Sequence, residues 1–415
     1  ADAREKLGVR EDLNGPKDVD VTLDAVVRHL DPHTNYWDKS TREDIEKSFG
    51  DYTGIGIKVG RDVNKDMLLV ISPMKGGPAY RAGIKTGDII TTIIRSVDKE
   101  GKPLPKPETL STKGMPIAEA VQKILGKAGT EVKLIVEREG VEKPLEFVLK
   151  RERIQTETVL GHQLKENDDW DFVIDPENRI AYIRLTQFSK NTFRDLKKAL
   201  SVVNEEKGGL KGLVLDLRHN PGGLLISAVE ICDLFIDDGL IVTIKPRVGK
   251  ENTFNGESAG SLLNFPIAVL INGNSASASE IVSACLADHG RAIVIGERSY
   301  GKGSVQSVVP FDSTGGEIKM TTATYWRPSG KNIDKRSTKG TKDEDWGVTP
   351  HVVLPLSPKE ADDLEEHFRN VDIIPRRDLP PKEVKPAFKD PQLEKALDYL
   401  RQQQKIAGKA PKKAA

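Results

Sequence analysis

Residues 212–223 read Gly-Leu-Val-Leu-Asp-Leu-Arg-His-Asn-Pro-Gly-Gly. The first half is an almost continuous apolar run, which is typical of a strand buried on both faces of a parallel sheet. The second half is a turn with Asn-Pro and Gly-Gly, and helically spaced apolar residues follow from Leu224 to Ile236. This strand–turn–helix unit predicts an α/β fold. It also places the turn at the carboxyl end of a strand, where such sheets tend to carry their sites.

Residues 151–355 extend this pattern. Residues 266–271 and 293–295 are further buried-strand candidates, and the residues from Ile281 to Leu286 form a helical apolar face between them. The strand–helix–strand–helix–strand order predicts crossover units around a mainly parallel sheet.

Residues 46–150 have the pattern of a separate small β-rich domain. We predict its strands at 54–59, 67–71 and 89–94, a short helix over 78–83 that ends at a glycine, a helix over 117–125, and a hairpin of 132–136 with 145–149. Residues 1–45 form an N-terminal segment with a helix over 21–30. Residues 356–415 are charged and proline-rich, with one helix predicted from 391 to about 404. The charged segment 331–346 is longer than a simple turn and is expected to be a surface insertion.

The composition is that of a protein with a well-solvated surface, with 30% charged and 37% hydrophobic residues. The chain has 63 basic and 63 acidic residues, so its charge gives no argument for a nucleic-acid partner. No apolar stretch approaches the ~18 residues that span a bilayer, and no histidine spacing typical of zinc sites is present. The two cysteines, Cys232 and Cys285, are predicted to be buried thiols, with a disulfide left open. No signal peptide is visible in the chain, and its first residue is Ala rather than Met, so we expect upstream residues to have been removed or left out.

The segment 274–280, Asn-Ser-Ala-Ser-Ala-Ser-Glu, connects a predicted strand to a helix. The hydroxyl of Ser277 would lie at a helix N-terminus, where backbone N–H groups favour developing negative charge. Ser277 followed by Glu280 also matches a capping box, so a purely structural role is the alternative.

Lys302 lies between Gly301 and Gly303, after the third predicted strand. A lysine acts as a general base only when a dry setting lowers its pKa, and Gln306 is placed to hold the amine by a hydrogen bond. A solvated loop lysine is the alternative. A phosphate-binding loop fits less well, because Gly303 occupies the Ser/Thr position and residues 304–309 are predicted to be extended.

The glycine pair Gly222 and Gly223 opens the next helix, and its N–H groups could form an oxyanion hole. An ordinary strand–helix turn is the alternative. His219 or His289 could instead be proposed as the base of a Ser-His-Asp triad.

Taken together, these motifs resemble the C-terminal processing peptidases, also called tail-specific proteases. Asn-Pro-Gly-Gly, Ser-Ala-Ser-Ala-Ser-Glu and Gly-Glu-Arg-x-x-Gly-Lys-Gly-x-x-Gln occur in the order found in that family. The similarity runs from about Leu30, in Leu-Asp-Pro-His-Thr, to about Pro350, in Gly-Val-Thr-Pro. The resemblance implies a nucleophile at Ser277, a base at Lys302 and a supporting Gln306.

The same resemblance implies an oxyanion hole made by the N–H of Ala278 and one from the glycine pair, with Gly223 favoured over Gly222. It further implies an α/β core of the crotonase/ClpP-like type and an inserted PDZ-like domain. In that domain the loop Gly54-Ile55-Gly56-Ile57 would receive a peptide's terminal carboxylate, with an ordinary strand start as the alternative.

The function implied is that of a serine endopeptidase that cleaves protein or peptide substrates near their free C-termini, without cofactor or metal. The resemblance also implies an exported, extracytoplasmic protein, whose terminal helical segments could pair in a homo-oligomer. Two other functions stay open at this point: a non-catalytic PDZ scaffold, and a crotonase-like enzyme acting on acyl thioesters.

Overall fold

The computed structural model describes residues 16–38, 41, 52–311, 316–338, 345–379 and 388–409. Its first half contains α1 Pro16–Arg28, β1 Asn35–Trp37, β2 Tyr52–Gly54, β3 Ile57–Asp62, β4 Met67–Pro73, α2 Pro78–Arg81, β5 Ile89–Val97, β6 Pro103–Ser111, α3 Ile117–Ile124, β7 Glu131–Glu137, β8 Leu145–Lys150 and β9 Glu152–Ile154. The predicted boundary between residues 45 and 46 lies outside the described residues.

The second half contains β10 Val159–Leu160, β11 Gln163–Leu164, β12 Trp170–Asp171, β13 Val173–Asp175, β14 Ile180–Leu185, α4 Thr192–Glu205, β15 Gly212–Asp216, α5 Leu225–Phe235, β16 Gly239–Pro246, β17 Asn252–Gly256, β18 Ile267–Ile271, α6 Ala278–Asp288, β19 Ala292–Gly296, β20 Ser304–Phe311, β21 Gly316–Trp326, α7 Lys335–Thr338, β22 Val352–Val353, α8 Pro358–Val371 and α9 Pro391–Lys409. Of the segment 331–346, residues 339–344 lie outside the described part of the chain.

Strands β3 to β8 form an antiparallel sheet of order β3-β4-β5-β7-β8, with β6 on β5. Its buried side chains, among them Leu68, Ile90 and Leu134, form their own hydrophobic cluster. The prediction of one strand over 54–59 is wrong. β2 ends at Gly54 and pairs with β9, whereas β3 begins at Ile57 and pairs with β4. The chain turns between them at Gly56, whose φ of 72° suits glycine.

The central sheet has the order β10-β14-β15-β18-β19-β22, and its last five strands are parallel. Alternate side chains of these strands enter two clusters, one shared with α4, α5 and α6 and the other with α9. The predicted mixed α/β architecture is confirmed.

The expectation of a single helix in 356–415 is wrong, because α8 precedes α9. Only Leu364 and Phe368 of α8 are buried, so its apolar face is narrow and the pattern was missed.

A second antiparallel sheet, β1-β21-β16-β17 with β20 on β21, was not predicted as a unit. It joins a strand near the N-terminus to the hairpin that follows Lys302.

The two cysteines are free and fully buried on α5 and α6, as predicted. Among the described helices, none combines the length and apolar character needed to cross a membrane.

Candidate active site

Three loops meet at the carboxyl edge of the parallel sheet, because β15, β18 and β19 are neighbours in register. The loop after β15 holds the loop after β18 through Ala276 N donating to Asn220 O at 3.0 Å. The loop after β19 joins them through Tyr300 N donating to Ser275 O at 3.0 Å. The three sequence motifs, far apart along the chain, therefore form one site.

Ser277 lies at the N-terminus of α6 with φ 55° and ψ −112°. A left-handed φ is costly for a residue with a Cβ, and such conformations cluster at functional sites. The pair Ser277 and Glu280 has the capping-box arrangement, with Ser277 N donating to the Glu280 carboxylate, but the Ser277 side chain makes no capping hydrogen bond. Within the described part of the chain, no acceptor therefore takes the proton of the Ser277 hydroxyl.

The Glu280 carboxylate ties the serine and lysine loops together. Its Oε2 accepts hydrogen bonds from the backbone N–H of Ser277 and of Lys302, both at 2.8 Å. Its Oε1 accepts from Gly301 N and Ser299 Oγ, both at 2.6 Å. Burial raises the pKa of Glu280, and these four donors oppose that shift. Sequence reasoning saw Glu280 only as a cap, because the partners contributed by residues 299–302 are a tertiary feature.

Lys302 is half-buried, and burial lowers the pKa of its amine, partly opposed by the charge of Glu280. Two other basic side chains are close enough to be affected by its charge. Burial and the charge of Lys302 lower the pKa of Lys319, and they also lower the pKa of His33. This setting favours a neutral amine. The glycines on either side are required: Gly301 has φ 84°, and a Cβ on Gly303 would lie 2.2 Å from Asp334 N.

Gln306 lies on β20 and donates from Nε2 to Ser304 Oγ at 2.8 Å and to Thr321 Oγ1 at 3.4 Å. Within the described residues, neither its Oε1 nor the Lys302 Nζ has a hydrogen-bond partner. The hydrogen bond expected between Gln306 and Lys302 is therefore not formed in this structure.

The two glycines differ in what their N–H groups do. Gly222 N donates to Asn220 Oδ1 at 2.9 Å, whereas no described acceptor meets the N–H of Gly223 or of Ala278. Gly222 lies against Ser277, since a Cβ there would be 2.8 Å from Ser277 Cβ and 2.9 Å from Ala278 N. Gly223 is bridged to Phe188, which holds the loop in place.

The two histidines considered for a triad bind elsewhere. His219 contacts Asn272 at 3.0 Å and Asn274 at 3.3 Å through its ring nitrogens, and His289 Nε2 lies 2.8 Å from Leu240 O. Neither makes a hydrogen bond with Ser277.

A buried ionic network supports the turn that carries the glycine pair, and sequence reasoning missed it. Arg218 and Asp216 are both fully buried and paired, and Tyr182 donates to Asp216 at 2.8 Å. Arg218 also pairs with Asp390 and donates to Gln392 on the far side of the core. The C-terminal segment is thereby attached behind the turn.

In the antiparallel sheet, Ile55 is buried and its carbonyl accepts from Ala79 N at 2.9 Å, while Gly56 O accepts from Met74 N at 2.9 Å. The latter bond makes Ile57 and Pro73 a non-hydrogen-bonded pair, so the N–H of Ile57 points to the outer edge of β3. In the described chain, β3 is an edge strand of this sheet.

Comparison with known proteins gives the family. Peptidase family S41 matches residues 179–354. A carboxy-terminal-processing protease of Bartonella bacilliformis is 36% identical over 359 residues, covering 86% of this chain and 72% of the relative. The chain belongs to peptidase family S41. It is a serine peptidase of the carboxy-terminal processing type, as the sequence motifs predicted.

Other relatives of this S41 peptidase carry similar names. Carboxy-terminal processing protease CtpA of Bacillus subtilis is 33% identical over 338 residues, covering 80% of this chain and 66% of the relative. Among solved structures, a photosystem II D1 C-terminal processing protease is 26% identical, covering 85% of this chain and 91% of that chain, with a TM-score of 0.43. That superposition is too loose to compare how the parts are arranged.

Proposed function

We propose that Ser277 is the nucleophile of this S41 peptidase, that Lys302 is its general base, and that Gln306 supports the lysine amine. One observation carries the proposal: a single oxygen of the Glu280 carboxylate, Oε2, accepts hydrogen bonds from the backbone N–H of both Ser277 and Lys302. Because both N–H groups bond the same oxygen atom, the distance between the backbone nitrogens of Ser277 and Lys302 cannot exceed the sum of the two hydrogen-bond lengths. A serine and a half-buried lysine held this close have the elements of a dyad.

In the proposed mechanism, neutral Lys302 removes the proton of the Ser277 hydroxyl as the oxygen attacks a peptide carbonyl. The N–H groups of Ala278 and Gly223 stabilise the tetrahedral oxyanion. The lysine then gives its proton to the leaving amine, and water hydrolyses the acyl-enzyme with Lys302 again as base. The engagement of Gly222 N by Asn220 supports Gly223, rather than Gly222, as the second donor.

We further propose the domain organisation that the family implies. It comprises an N-terminal helical segment 1–45, a PDZ-like domain 46–150, a crotonase/ClpP-like core 151–355 and a helical C-terminal segment 356–415. The outward N–H of Ile57 and the left-handed turn at Gly56 support a carboxylate-binding loop over Gly54–Ile57. A bound C-terminus would then add to the edge strand β3.

The substrate class follows from that loop. Proteins with free C-termini would be captured by the PDZ-like domain and cleaved nearby, in an extracytoplasmic compartment, by an enzyme that is a monomer or a homo-oligomer.

The test is to incubate the wild type and Ser277→Ala with an unfolded protein whose C-terminus is free or amidated. We expect cleavage by the wild type, slower for the amidated substrate, and none by Ser277→Ala at an unchanged melting temperature. Turnover by Ser277→Ala would exclude the proposed nucleophile, and equal rates on the two substrates would exclude recognition of the C-terminus.

A further inference from the structure

The turn Asp31-Pro32-His33-Thr34 packs on the hairpin that carries Gln306, although Thr34 and Thr321 are 287 positions apart in the chain. β1 pairs with β21 in the register Asn35–Lys319, which brings the preceding turn alongside Thr321. Thr321 N donates to Thr34 Oγ1 at 3.1 Å, and Thr321 Oγ1 donates to Asp31 Oδ1 at 3.0 Å. The contact is therefore polar and directional.

This contact decides which way the Gln306 amide faces. Burial raises the pKa of Asp31, but hydrogen bonds from Thr34, His33 and Thr321 outweigh it and hold the pKa below its usual range, so the carboxylate is ionised and only accepts. The one hydroxyl proton of Thr321 is thus committed to Asp31. Toward Gln306, Thr321 Oγ1 can only accept, and Gln306 must present Nε2. The carbonyl Oε1 of Gln306 becomes the outward end.

Lys302 lies near this contact, because its charge acts on His33 of the turn and on Lys319 of β21. Gln306 is hydrogen-bonded to Ser304 at the start of β20, and Lys302 precedes Ser304 by two residues. Lys302 Nζ and Gln306 Oε1 are both unpaired within the described residues, one a donor and the other an acceptor. The pKa of His33, in the same turn, is lowered first by burial and second by the nearby charge of Lys302.

We propose that Asp31 and Thr321 are positioning residues of the peptidase, which orient the Gln306 amide so that its carbonyl oxygen receives the Lys302 amine during catalysis. This inference rests on the proposed function of Lys302. It gives the N-terminal turn a role in catalysis, because without Asp31 the Thr321 hydroxyl could donate to Gln306 and allow the amide to flip. A flipped amide would direct N–H groups at the amine and leave it unsupported.

The groups that face Lys302 are Glu280 from α6, His33 from the turn and Lys319 from β21. Losing the carbonyl acceptor, or replacing it by N–H groups, disfavours the ammonium form. The acidic limb of the pH–rate profile should therefore move to lower pH in a variant with a misoriented amide. At the same time the plateau rate should fall, because the neutral amine is no longer aimed at Ser277.

The test measures kcat and KM against pH for Thr321→Val, with Thr322→Val as the matched control. Thr322 is the next residue on β21, and its hydroxyl bonds Ser307 instead, at 2.7 Å. We expect Thr321→Val to lower kcat by about tenfold to a hundredfold, with little change in KM and the acidic limb shifted down. Thr321→Ser, which restores the hydroxyl, should recover most of the rate. Identical kinetics in Thr321→Val and Thr322→Val would overturn the proposal.

Asp31→Ala provides a second variant, since it removes the acceptor of the Thr321 hydroxyl proton. Its control is Asp20→Ala, which removes a carboxylate that accepts from Tyr36 at 2.6 Å in the same N-terminal region. We expect the Thr321→Val phenotype only in Asp31→Ala. Loss of rate with an unmoved acidic limb in both would indicate simple loosening of the segment and contradict the inference. If Ser277→Ala retains activity, the proposed function itself fails. If Ser277→Ala is inactive but the Thr321 and Asp31 variants behave like their controls, only the positioning role fails.

Discussion

Lys302 is held where its charge is unfavourable. Burial lowers the pKa of its amine, and the Glu280 charge that opposes this shift is already shared among four hydrogen-bond donors. A group with a pKa lower in the folded state than in the unfolded chain costs stability while it is protonated. That cost disappears as the pH rises toward the usual lysine pKa. Lys302, the proposed base, therefore reduces the stability of the fold.

Lys302→Met should be inactive and melt at or above the wild-type temperature near neutral pH. Methionine keeps an unbranched stem in the same space without a charge to bury. The difference in melting temperature should shrink as the pH is raised through the window below the ordinary lysine pKa of about 10.4. Calorimetry against pH measures it. Lys302→Arg is the control: it should be inactive but should not gain melting temperature, because its charge stays buried. A melting temperature of Lys302→Met below that of the wild type would contradict the argument.

At the scale of elements, the turn between β15 and α5 is packed against the N-terminus of α6. Gly222 has φ 99°, and its Cα approaches the backbone of residues 276–278 too closely for any side chain. Asn220 holds the turn from within, donating to Leu185 O at 2.7 Å and accepting from Gly222 N. The N-termini of two helices are thereby brought together around Ser277.

Gly222→Ala should lower kcat by about a hundredfold or more, because a Cβ would displace Ser277 and the N–H of Ala278, the proposed oxyanion donor. The matched control is Gly140→Ala. Gly140 has φ 81°, but a Cβ there meets nothing within 4 Å. Both changes carry the cost of a left-handed alanine, roughly 1–2 kcal/mol, and only the first should affect catalysis. Steady-state kinetics alongside thermal melts separate the two effects, and equal kcat values would refute the packing argument.

At the scale of the molecule, residues 372–378 form a C-terminal strap that fastens the antiparallel sheet to the core. On the sheet, Ile374 N donates to Ser72 Oγ at 3.1 Å and Thr86 Oγ1 donates to Ile374 O at 2.6 Å. On the core, Asp372 pairs with Arg184 and Arg377 with Asp168. The strap directly follows α8, so the position of the candidate peptide-binding domain depends on the C-terminal segment.

Thr86→Val should loosen this strap, since a net hydrogen bond is worth about 1 kcal/mol. We expect roughly fivefold faster trypsin cleavage after Arg376 and Arg377, because cleavage of a locally opened segment follows its opening equilibrium. Thr91→Val is the control, as its hydroxyl donates to Ile135 O inside the sheet at 3.2 Å. Unchanged cleavage in Thr86→Val relative to Thr91→Val would show that this bond does not hold the strap.

Much of the core could be predicted because its signals are local. The apolar run 212–217 and the helical spacing after Leu224 each report burial directly, and β15 and α5 lie where that pattern placed them. The strand over 54–59 was misjudged because alternation does not reveal that Gly56 turns the chain into another sheet. The strand β6 was missed because it contains three prolines and lies at a sheet edge.

The candidate site divides in the same way. The residue types at 277, 302 and 306 and the order of their motifs were enough to predict the family and to nominate a dyad. No local pattern could indicate that Glu280 accepts from residues 299–302, that Asn220 occupies the N–H of Gly222, or that Asp31 meets Thr321. These contacts join segments far apart in the chain.

The amino-acid sequence alone therefore determined that this chain is an α/β serine peptidase and which side chains could carry its chemistry, since apolar periodicity and motif order are properties of short segments. Only the tertiary structure decided which backbone N–H groups are free and which way an amide faces. The physical reason is that hydrogen bonds are directional and each donor proton is used once, so availability depends on partners that folding brings together.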